Sequence, residues 1–188
     1  IFEYLLTKLS LKLPTYAAPL LPIPKRRWDG LVYLHGLLPE TPDAAALDQL
    51  VVSSGDFGLA YLTERWASRF VTELFRSYTV CFVGYSITDP VLRYMTDALA
   101  ADQMLGESPT EVFAFGSYKK HHFDEAANEW RAKNVTPILY AEEPDHSYLH
   151  ETLKKWAGIY RDGISGKQGI IVRYAAAKPP GVAHDDFV

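Results

Sequence analysis

Thr79-Val80-Cys81-Phe82-Val83-Gly84-Tyr85-Ser86-Ile87-Thr88-Asp89-Pro90 is the stretch on which the fold turns. Its first five residues form a short, mostly apolar run rich in β-branched and aromatic side chains, which reads as a buried strand. Gly84 ends the run. Asp89 then supplies a capping carboxylate, and Pro90 suits the first helical position, where its missing N–H costs nothing. The helix so started carries Val91, Leu92, Met95, Ala98 and Leu99. A strand, a glycine turn and a helix make the repeating unit of a parallel sheet. Both faces of 79–83 read apolar, so this strand is expected at the centre of the sheet.

The pattern extends in both directions. Upstream, a long helix is expected from about Phe57 to Arg76, with Leu59, Leu62, Trp66, Phe70 and Leu74 on one face and Asp56 as its N-cap. Leu31 to Leu34 reads as a short strand ending in His35-Gly36, and Leu50 to Ser53 as another. Residues 1–13 fit a helix. Pro14, Pro19, Pro22 and Pro24 make 14–24 extended or looped, Lys25-Arg26-Arg27 follows, and 37–48 reads as a loop. Downstream, Val112 to Phe115 is a strand ending in Gly116-Ser117, and Phe123, Ala126, Ala127 and Trp130 share a helix face. Val135 to Tyr140 is a strand whose Pro137 suits an edge. Leu149, Leu153, Trp156 and Tyr160 mark a last helix. From Asp162 on, glycines suggest a loop, Ile170 to Tyr174 a strand, and 175–184 a linker. The fold class expected is α/β: a three-layer domain with a mostly parallel sheet covered on both faces.

Composition narrows the function classes. The chain has 188 residues, 48% hydrophobic and 22% charged, which suits one globular domain rather than a disordered or fibrous chain. A net charge of −4 argues against generic nucleic-acid binding. Apolar runs are too short to span a bilayer, so no membrane partner is expected. Cys81 is the single cysteine, which excludes an internal disulfide and a cysteine-paired zinc site. A cytoplasmic location is the simplest expectation. The chain starts at Ile1 inside an apolar pattern and stops at Val188 without a closing element, so a piece of a longer protein is expected.

In parallel α/β sheets, ligands sit at the carboxyl ends of strands. That rule selects His35-Gly36, Gly84-Tyr85-Ser86 and Gly116-Ser117. Gly84 lets a backbone approach a ligand, and the hydroxyl of Ser86 suits a ribose or phosphate, although a ligand-free tight turn reads equally well. His35 has a side chain suited to proton transfer near neutral pH, although taken alone it reads better as a structural histidine. His146 and His150 stand four apart but lack an evident third ligand, and His121-His122 reads as a solvated pair. No Walker-type loop and no Gly-x-Gly-x-x-Gly occurs.

Taken together, Tyr33-Leu34-His35-Gly36, the helix ending near Leu74-Phe75, and Phe82-Val83-Gly84-Tyr85-Ser86 with Asp89-Pro90 resemble the sirtuins. The resemblance is closest to the bacterial sirtuin-like domains of anti-phage defence proteins, and it covers roughly residues 1–160. It implies a Rossmann-type domain that binds NAD and cleaves its nicotinamide–ribose bond. By resemblance, His35 matches the catalytic histidine, Gly84, Tyr85 and Ser86 line the dinucleotide site, and Gly116 and Ser117 fall near the adenosine half. The four-cysteine zinc module of the protein-deacylating members is absent, so no zinc is expected. The family's catalytic asparagine is also missing, since no Asn precedes Asn128. That residue and the Gly-rich phosphate loop are expected before Ile1, so this piece alone should be inactive.

The resemblance implies an NAD hydrolase acting in defence by NAD depletion, answering to an unknown phage-derived or protein trigger and working as a homo-oligomer. An NAD-dependent protein-lysine deacylase and a non-catalytic NAD- or ADP-ribose-sensing or assembly module are the alternatives. The expected organisation is the carboxyl-terminal portion of an NAD-binding domain over 1–160 and a loop and linker over 161–188.

Overall fold

The computed structural model describes residues 2–24, 28–90, 93–97 and 111–175. Lys25-Arg26-Arg27, Val91, Leu92, Ala98, Leu99 and the tail from 176 lie outside the described residues. The order along the chain is α1 (Phe2–Lys8), β1 (Thr15–Ala17), β2 (Leu31–Tyr33), α2 (Ala44–Asp48), α3 (Ser54–Gly58), a π-helical turn (Leu59–Thr63), α4 (Trp66–Ser77), β3 (Val80–Phe82), β4 (Val112–Tyr118), α5 (Phe123–Arg131), β5 (Thr136–Ala141), α6 (Ser147–Arg161) and α7 (Gly163–Ala175). Residues 93–97 are helical as well, and Arg93 N–H donates to Asp89 O at 3.0 Å, which places Asp89 at the start of that helix.

The architecture is α/β with parallel pairing, as the alternation requires. β1 and β2 run parallel, with Thr15 opposite Leu31 and Ala17 opposite Tyr33. β3 and β4 run parallel, with Val80 opposite Val112 and Phe82 opposite Ala114. The strands are divided between two sheets, ordered β1-β2 and β3-β4-β5. β5 ends its sheet, the edge position that Pro137 suits. β3, expected at the centre, also ends this sheet among the described residues. Its apolar run is explained differently. Phe82 is buried and packs on Phe75 of α4 with ring centroids 6.0 Å apart, whereas Cys81 is exposed.

The chain forms two compact units. The first comprises 1–116 and 124–138, the second 117–123 and 139–188. In the first, α4 turns Ala67, Phe70, Val71 and Phe75 inward, the i, i+3, i+4, i+8 stripe of an amphipathic helix. Tyr61, Ala60 and Ala67 are completely enclosed, with Leu34, Val51, Phe57, Trp66 and Tyr94 packed around them. α5 adds Ala127 and Trp130 to the buried set. Its first turn carries Asp124 and Glu125 and its last turn Arg131, each matched to the helix dipole. In the second unit, α6 and α7 pack on each other, and Leu149 is buried.

The expected single helix over 57–76 is two helices joined by the π-helical turn. Ser53, not Asp56, is the N-cap: its hydroxyl accepts from Asp56 N–H at 3.2 Å, and the Asp56 carboxylate accepts from Ser53 N–H at 2.9 Å. This reciprocal pair is a capping box. The extra residue per turn at 59–63 rotates the chain, so Leu59 and Leu62 face solvent and Ala60 and Tyr61 face inward. Leu50 to Ser53 is not a strand; Val51 N–H makes a lone bond to His35 O at 3.0 Å. α2 occupies part of the expected 37–48 loop, capped by Asp43. Residues 163–175, read as loop and strand, are helix α7. β4 runs past Phe115 to Tyr118, so Gly116 and Ser117 lie inside the strand rather than at its exit.

Candidate functional site

The site is built at the exit of β2. Gly36 N–H donates to Tyr33 O at 3.1 Å and closes a tight turn, and Gly36 holds φ +90°. That turn lies against 49–50: a side chain at Gly36 would meet Gln49 O at 2.8 Å. The His35 ring is thereby fixed in place, and it is half-buried. Its Nε2 lies 2.9 Å from the hydroxyl of Tyr61, with the rings edge to face at 5.8 Å and 80°.

Tyr61 is itself rigidly held. It stacks on Phe57 at 4.3 Å and 21°, and meets Tyr94 edge-on at 5.3 Å. Its backbone carbonyl accepts from the Ser68 hydroxyl at 3.0 Å and the Tyr94 hydroxyl at 3.2 Å. Burial drives the Tyr61 phenol well above its usual range, and Tyr85, Tyr94 and Asp89 add to the effect. It is therefore a neutral hydroxyl at every physiological pH.

The second strand exit closes the group. Gly84 has φ +75° and open space where a side chain would stand. The Ser86 hydroxyl shares a 2.8 Å bond with Thr88 Oγ1 and accepts from Thr88 N–H at 3.3 Å, and Asp89 N–H donates to Ser86 O at 2.9 Å. The loop is thus a hydroxyl-rich turn leading into Pro90. Tyr85 packs edge-on against Phe82 at 5.3 Å. Burial, then the Asp89 charge, raises the Tyr85 phenol. For His35, burial depresses the imidazole below its usual value and the Asp89 carboxylate acts in the opposite sense. Asp89 therefore sits within electrostatic reach of His35, Tyr61 and Tyr85.

The structure thus gathers His35 and the 84–89 loop around one group. A mostly apolar groove of about 410 Å³ runs alongside β2, β3 and α4, lined by Val32, Phe70, Phe75, Val80, Phe82 and Tyr85 among others; of the candidate site residues its lining includes Tyr85. A larger cleft of about 810 Å³ along α4, bordered by Pro22, Trp66, Arg69 and Tyr94, holds none of the residues singled out from sequence. Gly116 is buried in β4, and the Ser117 side chain hydrogen-bonds Tyr140. Among the described residues no three His, Cys, Asp or Glu side chains gather as metal ligands. His146 instead bonds the Tyr140 hydroxyl through Nδ1 at 3.2 Å, and it precedes helix α6 rather than lying within it. No helix among the described residues is long and apolar enough to cross a membrane.

The family model of the SIR2-like domain matches residues 2–138, well over half of the chain. The chain belongs to the SIR2-like family. Domains of this family bind NAD, which suggests an NAD-related function. The SIR2-like domain is also 33% identical over 122 residues to the uncharacterized protein y4cA of Sinorhizobium fredii, covering 65% of this chain and 10% of that protein. The chain therefore spans about a tenth of the length of this curated relative. No solved structure matches.

The residues present fit a dinucleotide. Gly84 leaves the strand exit open to a backbone approach, Ser86 offers an exposed hydroxyl, and His35 stands half-buried at the exit of β2. Tyr61 and Asp89 are the members of the group that the sequence did not assign to a site. Asp89 was recognisable as a helix cap, and its place three residues after Ser86 was the available signal. Tyr61 carried none, being 26 residues from His35 in the chain.

Proposed function

We propose that this SIR2-like domain belongs to an NAD hydrolase that releases nicotinamide and protects bacteria from phage by depleting NAD. The observation that supports the reading is the His35 imidazole at a strand exit, hydrogen-bonded to the buried Tyr61 and within electrostatic reach of Asp89 in the loop after Gly84.

The chemistry that NAD supplies is a cleavable bond from its ribose to a cationic nicotinamide. Water adds at the ribose carbon, and nicotinamide, ADP-ribose and one proton result. The chain's own contribution is to bind, orient and move a proton. His35 accepts a proton from a ribose hydroxyl. Gly84 and Tyr85 form the wall along which the dinucleotide lies, and Ser86 donates to a ribose or phosphate oxygen. Gly116 and Ser117 are proposed to flank the adenosine half. His35→Ala should remove proton-transfer help, about 10²–10⁴ in rate. In this reading the whole protein is cytoplasmic, assembles as a homo-oligomer and answers to a phage-derived or protein trigger. No zinc is needed.

A non-catalytic module that senses NAD or ADP-ribose is the competing reading. Product analysis separates the possibilities. Triggered whole protein should convert NAD to nicotinamide and ADP-ribose in equal amounts without any peptide. Turnover only with an acyl-lysine peptide would establish the deacylase, and binding without product would establish the sensor. Phage protection lost in cells carrying His35→Ala would tie the activity to defence.

A further inference from the structure

β2 and β3 each pair along one edge and leave the other open. In a parallel ladder the N–H and C=O of one residue point to the same neighbouring strand, and those of the next residue point the opposite way. Leu31 N–H donates to Pro14 O at 2.8 Å and Tyr33 O accepts from Ala18 N–H at 3.1 Å, both on the β1 side. Val32, between them, therefore turns its N–H and C=O away from β1. Val80 N–H donates to Glu111 O at 3.2 Å, on the β4 side, so Cys81 turns its N–H and C=O away from β4. Among the described residues no strand pairs with either of these two edges.

One groove meets both. Val80, Cys81, Phe82 and Val83 all line it. Successive side chains of a strand point to opposite faces, so a groove that touches four in a row runs along the edge of β3. Val32 lines the same groove from β2, and Phe70 and Phe75 line it from α4. The two strands run in the same direction beside it. Just ahead of them, Trp28 N–H donates to the Tyr78 hydroxyl at 2.7 Å, and just beyond them the Asp89 charge acts on His35. Two features of the groove call for an occupant. Trp28, which lines it, has an Nε1–H that is buried with no acceptor among the described residues, a rare state for an indole. β3 also presents Cys81 and Val83 to solvent, Val83 at 41% exposure. Packing on α4 accounts for Phe82 but not for these two. An exposed apolar edge is a template for another strand, and native proteins cover such edges.

We propose that an apolar strand of the whole protein, from outside residues 1–188, lies in this groove and pairs with β2 on one side and β3 on the other, joining the two sheets into one. A strand suits the place because it offers N–H and C=O groups along both edges, whereas a helix spends its own internally. One of its carbonyls near Trp28 supplies the acceptor for Nε1–H. The match with the Sinorhizobium fredii protein covers 10% of that protein, so a relative of this kind has ample further chain. That length allows the crossover of a dozen or more residues that parallel pairing needs. Laid parallel to β2 and β3, the strand ends beside His35 and Gly84, and the residues that follow it enter the candidate site. The pairing itself does not rest on the hydrolase reading.

Amide hydrogen exchange in the whole protein, read residue by residue, tests the pairing. Val32 and Cys81 are the informative amides, and Leu31 and Val80, bonded in the existing ladders, are the references. Val32 and Cys81 should exchange as slowly as the references, about 10³-fold or more below the rate of unstructured peptide. Exchange at Val32 and Cys81 about 10²-fold faster than at Leu31 and Val80 overturns the proposal. A cryo-electron microscopy map of the same sample identifies the occupant. The expected result is a strand of the same chain, from outside 1–188, bonded to Val32 and Cys81. A strand of a second copy, a segment of residues 1–188, a helix, or an open groove overturns it. Neither measurement depends on turnover, so whole protein that releases no nicotinamide would refute the hydrolase reading and leave this result standing.

Discussion

Gly36 and Gly84 form a matched pair for testing how the two strand exits are built. Both hold positive φ, +90° and +75°. They differ in surroundings: a Cβ on Gly84 meets nothing within 4 Å, whereas one on Gly36 meets Gln49 O at 2.8 Å and Leu50 Cδ2 at 2.9 Å. Gly84→Ala should therefore cost only the conformational strain of an alanine at positive φ, about 1–2 kcal/mol. Gly36→Ala bears a similar strain and an added overpacking cost of about 1–3 kcal/mol, for a sum near 3 kcal/mol. The added cost falls on backbone rather than on a flexible side-chain end, so the turn cannot yield without moving 49–50. Urea unfolding followed by circular dichroism gives both numbers. The expected result is a larger loss at Gly36, with the His35–Val51 bond broken first. Equal losses at the two glycines would refute the claim that the His35 turn is wedged against 49–50.

Other outcomes follow from the same geometry. Phe75→Ala, at a side chain 2% exposed and packed on Phe82, should cost about 3–5 kcal/mol in denaturant unfolding. His35 should titrate below the usual ~6.5 by NMR, since burial opposes its charged form. Because the folded value is depressed, stability from this group is complete above ~6.5 and falls as pH drops through the window below it, so His35→Gln should flatten the stability–pH curve there. Asp56, held by Ser53 and Val52, should titrate below an ordinary aspartate. Its contribution is present above the unfolded value of ~3.9 and lost as pH falls through the folded one, so carbon-detected NMR should show a midpoint under ~3.9.

Much of the fold is legible because local and tertiary signals agree. The run at Val80–Phe82, the Asp89-Pro90 start and the Pro137 edge each combine a short-range rule with a position in a parallel sheet. Where they conflict, the structure departs from the pattern. A strict 3.6-residue reading of 57–76 turns Leu59 and Leu62 inward, but the π-helical turn rotates them out and brings Tyr61 in. Gly163, Gly166 and Gly169 read as breakers, yet 163–175 is helical, with Gly163 at φ +58° and Ile164, Ile171 and Val172 exposed. β3 reads as central because a strand's burial can come from a helix as well as from neighbouring strands, and here α4 supplies it. At the site, His35 and the 84–86 turn were visible as strand exits. The Tyr61 hydroxyl that contacts His35 was not, because the contact spans 26 residues and depends on a backbone feature with no sequence signature.

The central claim is that His35 performs proton transfer on NAD rather than holding the core together. It is tested most directly by the rate of nicotinamide release from NAD by triggered whole protein, wild type against His35→Ala, with thermal unfolding measured on the same samples. The account expects a folded variant whose rate is lower by about 10²–10⁴. A folded His35→Ala protein that releases nicotinamide at the wild-type rate would contradict it.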